Sequence, residues 1–242
     1  MQTLKLLQLA RENANTSRPL RLEADDPEPS IYLHGVIGGF WGDIDETEFA
    51  KALAATTAAV IHLRIDSPGG DVFAARTMMT AIAQHPARII AHVDGLAASA
   101  ATGLCMACDE VQMSQGAGFM IHNAWTVVIG NKGDLINAAG LLEKIDAGLV
   151  HDYATRTGKP QDQITSWMDA ETWFTADEAR DAGFVDEVIE VVGSTKAHVW
   201  SLSAYRNAPT AQNQPHTADE QALITHRAAI ERRFALFEHT PA

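Results

Sequence analysis

The chain has 242 residues, 46% of them hydrophobic, and carries 18 basic against 31 acidic side chains for a formal net charge of -13. That is enough apolar material for one large core, and the acidic balance, with no long basic run, excludes nonspecific nucleic-acid binding and attraction to an anionic membrane surface. No uncharged apolar run reaches the length of a membrane span. The cluster Leu4, Leu6, Leu7 and Leu9 is interrupted by Lys5 and followed by Arg11, so it does not read as a secretory signal; a cytoplasmic protein is expected.

Residues 1–29 read as an N-terminal extension and linker, with Pro, Asp, Glu and Arg crowded into 18–30. The core unit is expected over 30–193. It opens with a strand at 31–37 and a helix at 45–55, where Asp45 is a candidate N-cap with Glu48 three residues on. A strand follows at 59–65, a helix at 72–83 before Pro86, and a strand at 88–93. Residues 99–108 form a helix of almost only small and apolar residues, to be buried on all sides. Its Cys105 and Cys108 have the spacing of a redox pair or half a zinc site, but with no second pair they read as core thiols.

Short strands are expected at 110–113 and 119–122, then a long amphipathic helix over 134–156, ended by Gly158-Lys159-Pro160. A last unit runs through Trp173-Phe174, a helix at 175–181, a stop at Gly183 and a strand at 184–192. Residues 194–220 are polar and turn-rich, and 221–238 reads as a further amphipathic helix in a C-terminal tail. Strands alternating with helices predict an α/β fold with mostly parallel pairing, and sites at the carboxyl ends of its strands.

Two segments lie at such ends. In Asp94-Gly95-Leu96-Ala97-Ala98-Ser99-Ala100-Ala101 a lone serine stands among small residues where a strand meets a helix. There the helix N-terminus favours developing negative charge, and the alanines allow a peptide backbone to approach. Taken alone, such a serine is more often a helix cap. His122 ends the apolar segment Gly118-Phe119-Met120-Ile121 and is the candidate base, with His62 and His92 as rivals in other strands. The second segment, Ser67-Pro68-Gly69-Gly70-Asp71, is a turn whose amides can face a cleft; it lacks the Lys-Ser/Thr ending of a phosphate loop. The amides of Gly70 and Ala100 are therefore candidates for an oxyanion hole. A carboxylate to orient the histidine comes from Asp169 or Glu171, between which spacing does not choose.

Taken together, Ile65-Asp66-Ser67-Pro68-Gly69-Gly70, Ala97-Ala98-Ser99, Met120-Ile121-His122, the long helix from Asp134, and Thr175-Ala176-Asp177-Glu178-Ala179 leading to Gly183-Phe184-Val185-Asp186 resemble the Clp-type serine peptidases. The resemblance covers residues 31–192. It implies a Clp protease/crotonase-like fold of repeated β-β-α units with a long protruding helix. It also implies a homo-oligomeric ring and a serine endopeptidase that needs no metal or organic cofactor and acts on protein or peptide substrates.

Carried over, Ser99 is the nucleophile, His122 the base, and Gly70 and Ala100 the oxyanion donors. The family's usual aspartate is matched by Glu171, with Asp169 as the alternative acid. No segment stands out as a docking pocket for an ATP-driven unfoldase. Asn123-Ala124-Trp125, Gly130-Asn131-Lys132-Gly133-Asp134-Leu135 and Glu171-Thr172-Trp173-Phe174-Thr175-Ala176 are similar to the phage head-maturation branch, which processes scaffold or capsid protein. Three other readings stand beside this one: an acyl-CoA hydratase/isomerase on a related fold, a serine-lysine peptidase using Lys132 or Lys144, and a non-catalytic protein that organises capsid scaffold.

Overall fold

Apolar stretches separated by well-capped helices build one mixed sheet in the computed structural model, which describes residues 5–14, 18, 20–23, 27–39, 42–190 and 200–209. The elements, in order, are α1 (Lys5–Asn13), β1 (Arg21–Glu23), β2 (Ser30–Leu33), α2 (Glu46–Ala55), β3 (Val60–Ser67), α3 (Val72–Gln84), β4 (Arg88–Ala98) and α4 (Ala100–Ala107). There follow β5 (Glu110–Ser114), β6 (Gly118–Ile121), α5 (Lys132–Thr157), α6 (Gln161–Asp169), β7 (Thr172–Phe174), α7 (Ala176–Ala182) and β8 (Glu187–Ile189). The sheet runs β1-β2-β3-β4-β5-β8, with β6 joined to β4 and β7. Its pairings are parallel except β1 with β2 and β6 with β7.

The helix starts follow from side-chain capping. The Asp45 carboxylate accepts from the N–H groups of Thr47 and Glu48, and Asp71 does the same for Phe73 and Ala74. Asn131 with Asp134, and Thr175 with Glu178, form reciprocal capping boxes. Such a cap contributes about 1 kcal/mol. At the other end, α5 and α7 stop on Gly158 and Gly183, both left-handed at φ 67 and 92, a conformation that costs glycine nothing.

One core lies between the sheet and α2–α7, built from residues such as Leu63, Ile65, Met78, Leu104, Phe119 and Phe184. The α4 helix is buried, as its composition predicts, and Cys105 within it and Cys108 at its C-cap are buried free thiols. Burial pushes the Cys105 thiol up to about 12, which leaves it unreactive. A second cluster lies apart from this core: Leu9, Val36, Leu96, Ala98 and Met120 pack with Trp200, Leu202, Ala204 and Tyr205. Residues on both sides of the central unit thus fold back onto the sheet.

The elements differ from expectation in several places, and the strand expected at 31–37 is observed as Ser30–Leu33. Two helices, α1 and α6, occupy segments not read as helical. The last strand is confined to Glu187–Ile189, because Phe184 turns into the core instead of pairing. Helix α5 starts at Lys132, two residues early, where Asn131 caps it. The strand expected at 88–93 continues to Ala98. The helix expected over 221–238 lies outside the described residues.

The extension of β4 is what builds the site. Opposite β3 the register shifts: Ile65 faces Val93, but Ser67 faces Ala97, so Asp94 and Gly95 form an irregularity in the ladder. Such bulges bend a strand and re-aim its end. Before the irregularity β4 pairs with β5, from Ile90 with Glu110 to Val93 with Met113. After it β4 pairs with β6, from Leu96 with Gly118 to Ala98 with Met120.

Candidate active site

Three strand ends converge. The β4 strand ends at Ala98, and Ser99 follows, its N–H donating to Met120 O at 2.8 Å. The β6 strand ends at Ile121, and His122 follows. The antiparallel β7 pairs Thr172 with Ile121, so Glu171, just before β7, faces the same end of the ladder as His122. Residues 72 positions apart in sequence are thereby brought to one end of three neighbouring strands, with His122 at the end of the middle one.

Ser99 occupies the N-cap position of α4, yet its side chain caps nothing. The hydroxyl instead lies 2.7 Å from His122 Nε2. The Ser99 backbone has φ 54 and ψ -125, outside the regions non-glycine residues favour. Holding it there costs roughly 1–3 kcal/mol. The helix-cap reading of this serine is therefore not the one the structure adopts.

His122 is 9% exposed. Burial depresses its pKa to about 4; the Glu171 carboxylate opposes the shift and the Lys5 ammonium adds to it. The imidazole is neutral at pH 7, and with its proton on Nδ1 it can accept from the serine. Its ring meets the rings of Trp125 and Tyr205 edge-on, at 4.8 and 5.4 Å between centroids.

The two candidate acids are separated by the fold. Glu171 is buried, with a left-handed φ of 50, and its charge reaches His122. Its Oε1 accepts from the Asn207 N–H at 2.6 Å. Asp169 is exposed at the end of α6 and accepts from Asn123 Nδ2 at 2.7 Å. Of the two, Glu171 is the buried carboxylate at the His122 end of the ladder.

The Gly69-Gly70 turn lies against the serine. Ile37 bridges it by donating its N–H to Gly69 O at 2.8 Å and accepting from the Asp71 N–H at 2.9 Å. A parallel bridge uses the groups flanking the bridged residue, so the Gly70 N–H faces the opposite way. Neither that N–H nor the Ala100 N–H, at the first turn of α4, meets an acceptor among the described residues. Both residues line a cavity of about 650 Å³ with Ser99 and His122. The far wall is apolar: Val127 and Val128 from the loop after His122, and Leu142, Ile145 and Leu149 from α5.

The rival residues lie elsewhere. His62 and His92 pair with each other, Nδ1 to Nε2 at 2.7 Å, on β3 and β4. Lys132 and Lys144 are exposed on α5 and do not line the cavity. Among the described residues no group of three or more His, Cys, Asp or Glu side chains could hold a metal ion, and no helix is long and apolar enough to cross a membrane.

Comparison with known proteins bears on the whole unit. The family model described as Clp protease matches residues 49–192. The chain belongs to the Clp protease family. That family is one of serine-type endopeptidases, and the enzyme class follows from membership. The chain is 31% identical over 171 residues to ATP-dependent Clp protease proteolytic subunit 3 of Rhodococcus jostii, covering 70% of this chain and 85% of that protein. It is 32% identical over 150 residues to proteolytic subunit 1 of Mycobacterium bovis, covering 61% of this chain and 72% of that protein. Among solved structures, a point mutant of ClpP1 from Listeria monocytogenes superimposes with a TM-score of 0.59 at 23% identity, covering 67% of this chain and 91% of that one. The Clp protease fold inferred from the motifs is thus the fold observed.

Four residues around this Clp protease site were not assigned to it from sequence: Lys5, Trp125, Tyr205 and Asn207. Trp125 stacks on Tyr205 at 5.2 Å, and Lys5 Nζ lies 4.5 Å from the Trp125 ring centre. The only forewarning of Tyr205 was the alternation of apolar and small polar residues in Trp200-Ser201-Leu202-Ser203-Ala204-Tyr205, the pattern of a chain lying along an apolar surface.

Proposed function

We propose that this Clp protease family member hydrolyses peptide bonds with Ser99 as nucleophile, His122 as general base and then acid, and Glu171 as the carboxylate that orients and charges the imidazole. The observation that carries it is the 2.7 Å contact between an uncapped, strained Ser99 hydroxyl and a buried neutral imidazole. Proton transfer from Ser99 to His122 Nε2 accompanies formation of the bond from Oγ to the substrate carbonyl carbon. The carbonyl oxygen takes up the negative charge, met by the N–H groups of Gly70 and Ala100. As the intermediate collapses the C–N bond breaks, and His122 gives its proton to the departing amine. Water then attacks the acyl-enzyme by the same relay and restores Ser99.

The apolar wall formed by Leu142, Ile145, Leu149, Val127 and Val128 supports a preference for a large apolar side chain next to the scissile bond. Exposed apolar residues on the loop and first turns of α5 (Val127, Ile129, Leu135, Ile136 and Leu141) support self-association into a homo-oligomeric ring. The segments around Trp125, Asn131 and Trp173 support the narrower reading, that the substrate is scaffold or capsid protein in phage head maturation within a host cytoplasm. The central unit, 30–193, carries the chemistry on this reading.

The test is labelling by a fluorophosphonate, which reacts only with an activated serine. Wild-type protein labels and cleaves an unfolded protein; Ser99→Ala and His122→Ala fold but do neither. Unlabelled wild-type protein with no proteolysis favours the non-catalytic assembly role. Labelling that survives His122→Ala removes the proposed base.

A further inference from the structure

Residues 200–209 lie after the unit that matches the family and are bound into the site from behind. Trp200 Nε1 donates to Asp66 Oδ1 at 2.7 Å, and Leu202 is wholly buried. The Tyr205 hydroxyl donates to the Pro68 carbonyl, in the turn that carries Gly70. The ring of the same residue packs edge-on to His122 and flat on Trp125. Two residues on, the Asn207 N–H donates to Glu171 Oε1, and Asn207 Nδ2 donates to Ala170 O at 2.7 Å. Arg206 donates to Asp169 O at 3.1 Å.

One short segment thus touches the turn of the candidate oxyanion hole, the imidazole and the carboxylate. Neither Tyr205 nor Asn207 lines the 650 Å³ cavity in front of Ser99. The segment lies behind the reacting groups and leaves the substrate side open, which is the placement of a brace and not of a plug.

We propose that residues 200–207 are a working part of the catalytic site, in which Tyr205 and the Asn207 backbone amide are positioning residues: Tyr205 fixes the Pro68–Gly70 turn relative to His122, and the Asn207 N–H fixes the Glu171 carboxylate. This rests on the peptidase reading given above. A shared brace matters because the three groups come from separate strand ends and turns. Displacement of a reacting group by about 1 Å can cost a hundredfold in rate. Tyr205 spans two of them with a rigid ring, and the amide two residues later reaches the third.

The experiment uses the full chain and a fluorogenic peptide with an apolar residue before the scissile bond. It compares wild type with Tyr205→Phe, Tyr205→Ala, Asn207→Pro, Glu171→Ala and the double variant Asn207→Pro with Glu171→Ala. Tyr205→Phe keeps the ring and loses the hydroxyl, which bonds Pro68 O and interacts with the Ser99 side chain; kcat falls about tenfold with KM within about twofold, because groups are misaligned while the cavity is intact. Tyr205→Ala falls further, so that the phenylalanine is a partial rescue. Asn207→Pro removes the N–H; its loss of kcat does not add to that of Glu171→Ala, because both act through one carboxylate. Wild-type kcat in Tyr205→Phe, or full additivity of Asn207→Pro with Glu171→Ala, overturns the proposal. If Asn207→Pro does not fold, Tyr205→Phe decides alone. A wild-type chain that neither cleaves nor takes the fluorophosphonate overturns the peptidase reading itself, a result distinct from an active wild type with unaffected brace variants.

Discussion

Gly69 and Ser99 face each other so closely that a methyl group added to Gly69 would sit 2.8 Å from Ser99 Cβ and 2.6 Å from Ala98 O. Neither neighbour is a flexible side-chain tip, and Gly69 has φ 95, a conformation that L side chains rarely adopt. Gly69→Ala is therefore expected to destabilise the fold by more than about 2 kcal/mol. It also displaces Ser99 from His122. Chemical denaturation and fluorophosphonate labelling check this; a labelled Gly69→Ala protein of wild-type stability would refute the close approach.

The acid for the histidine is a matter of burial. Glu171→Ala should lower kcat by about 10³–10⁴, as loss of the orienting carboxylate does in serine triads. Asp169→Ala loses an exposed contact to Asn123 and should keep kcat within about threefold, since surface changes have small effects. Steady-state kinetics on a short peptide discriminates, and the reverse ranking would transfer the role to Asp169.

The pH profile has a defined sign. With His122 as the proposed base, catalysis requires the neutral imidazole, whose pKa burial lowers to about 4 from the ordinary 6.5. The acidic limb of kcat/KM should therefore fall near pH 4, and Lys5→Ala should move it upward, because the ammonium is one cause of the depression. A wild-type limb near 6.5 contradicts the buried imidazole.

The same burial links stability to pH. His92 and His122 are both depressed to about 4, whereas the unfolded chain titrates them near 6.5. Below 6.5 the unfolded state binds more protons, so the stability present above that value is lost as pH falls through about 4. A melting temperature that declines across this window is expected, and His92→Gln should flatten the decline.

Thr102 ties the serine loop to α5. Its hydroxyl donates to Ser99 O at 2.6 Å, so the buried Tyr153 hydroxyl, 2.6 Å away, is the donor to Thr102. Thr102→Val leaves Tyr153 without that acceptor and should cost about 1–3 kcal/mol, whereas Tyr153→Phe should cost about 1 kcal/mol. Denaturant titration of both variants measures the difference, and equal costs would argue against this direction of donation.

Much of this architecture was legible because local chemistry and tertiary structure agree. Asp45, Gly158 and Gly183 mark their helix ends by capping rules alone, and the small-residue run after Ser99 announces a helix buried on every side. The extension of β4 was not legible, since Asp94 and Gly95 look like a turn and become a bulge only because β6 stands ready to accept the rest of the strand. Helix α6 was hidden behind Pro160, read as a stop but in fact the residue from which the next helix starts. For the candidate site, proximity of Ser99 and His122 could be inferred from motifs, but the choice between Asp169 and Glu171 depended on a register, Ile121 with Thr172, that no local signal specifies.

Asn13 joins the two outlying segments. Its amide accepts from the Ser201 N–H at 2.7 Å and donates to Ser201 O at 2.9 Å, standing in for a stretch of backbone. Trimming the first helix would therefore loosen a clasp whose other half reaches Tyr205 and Asn207. A fusion or proteolytic nick near residue 13 should register as a catalytic defect, although that position is itself no part of the reacting centre.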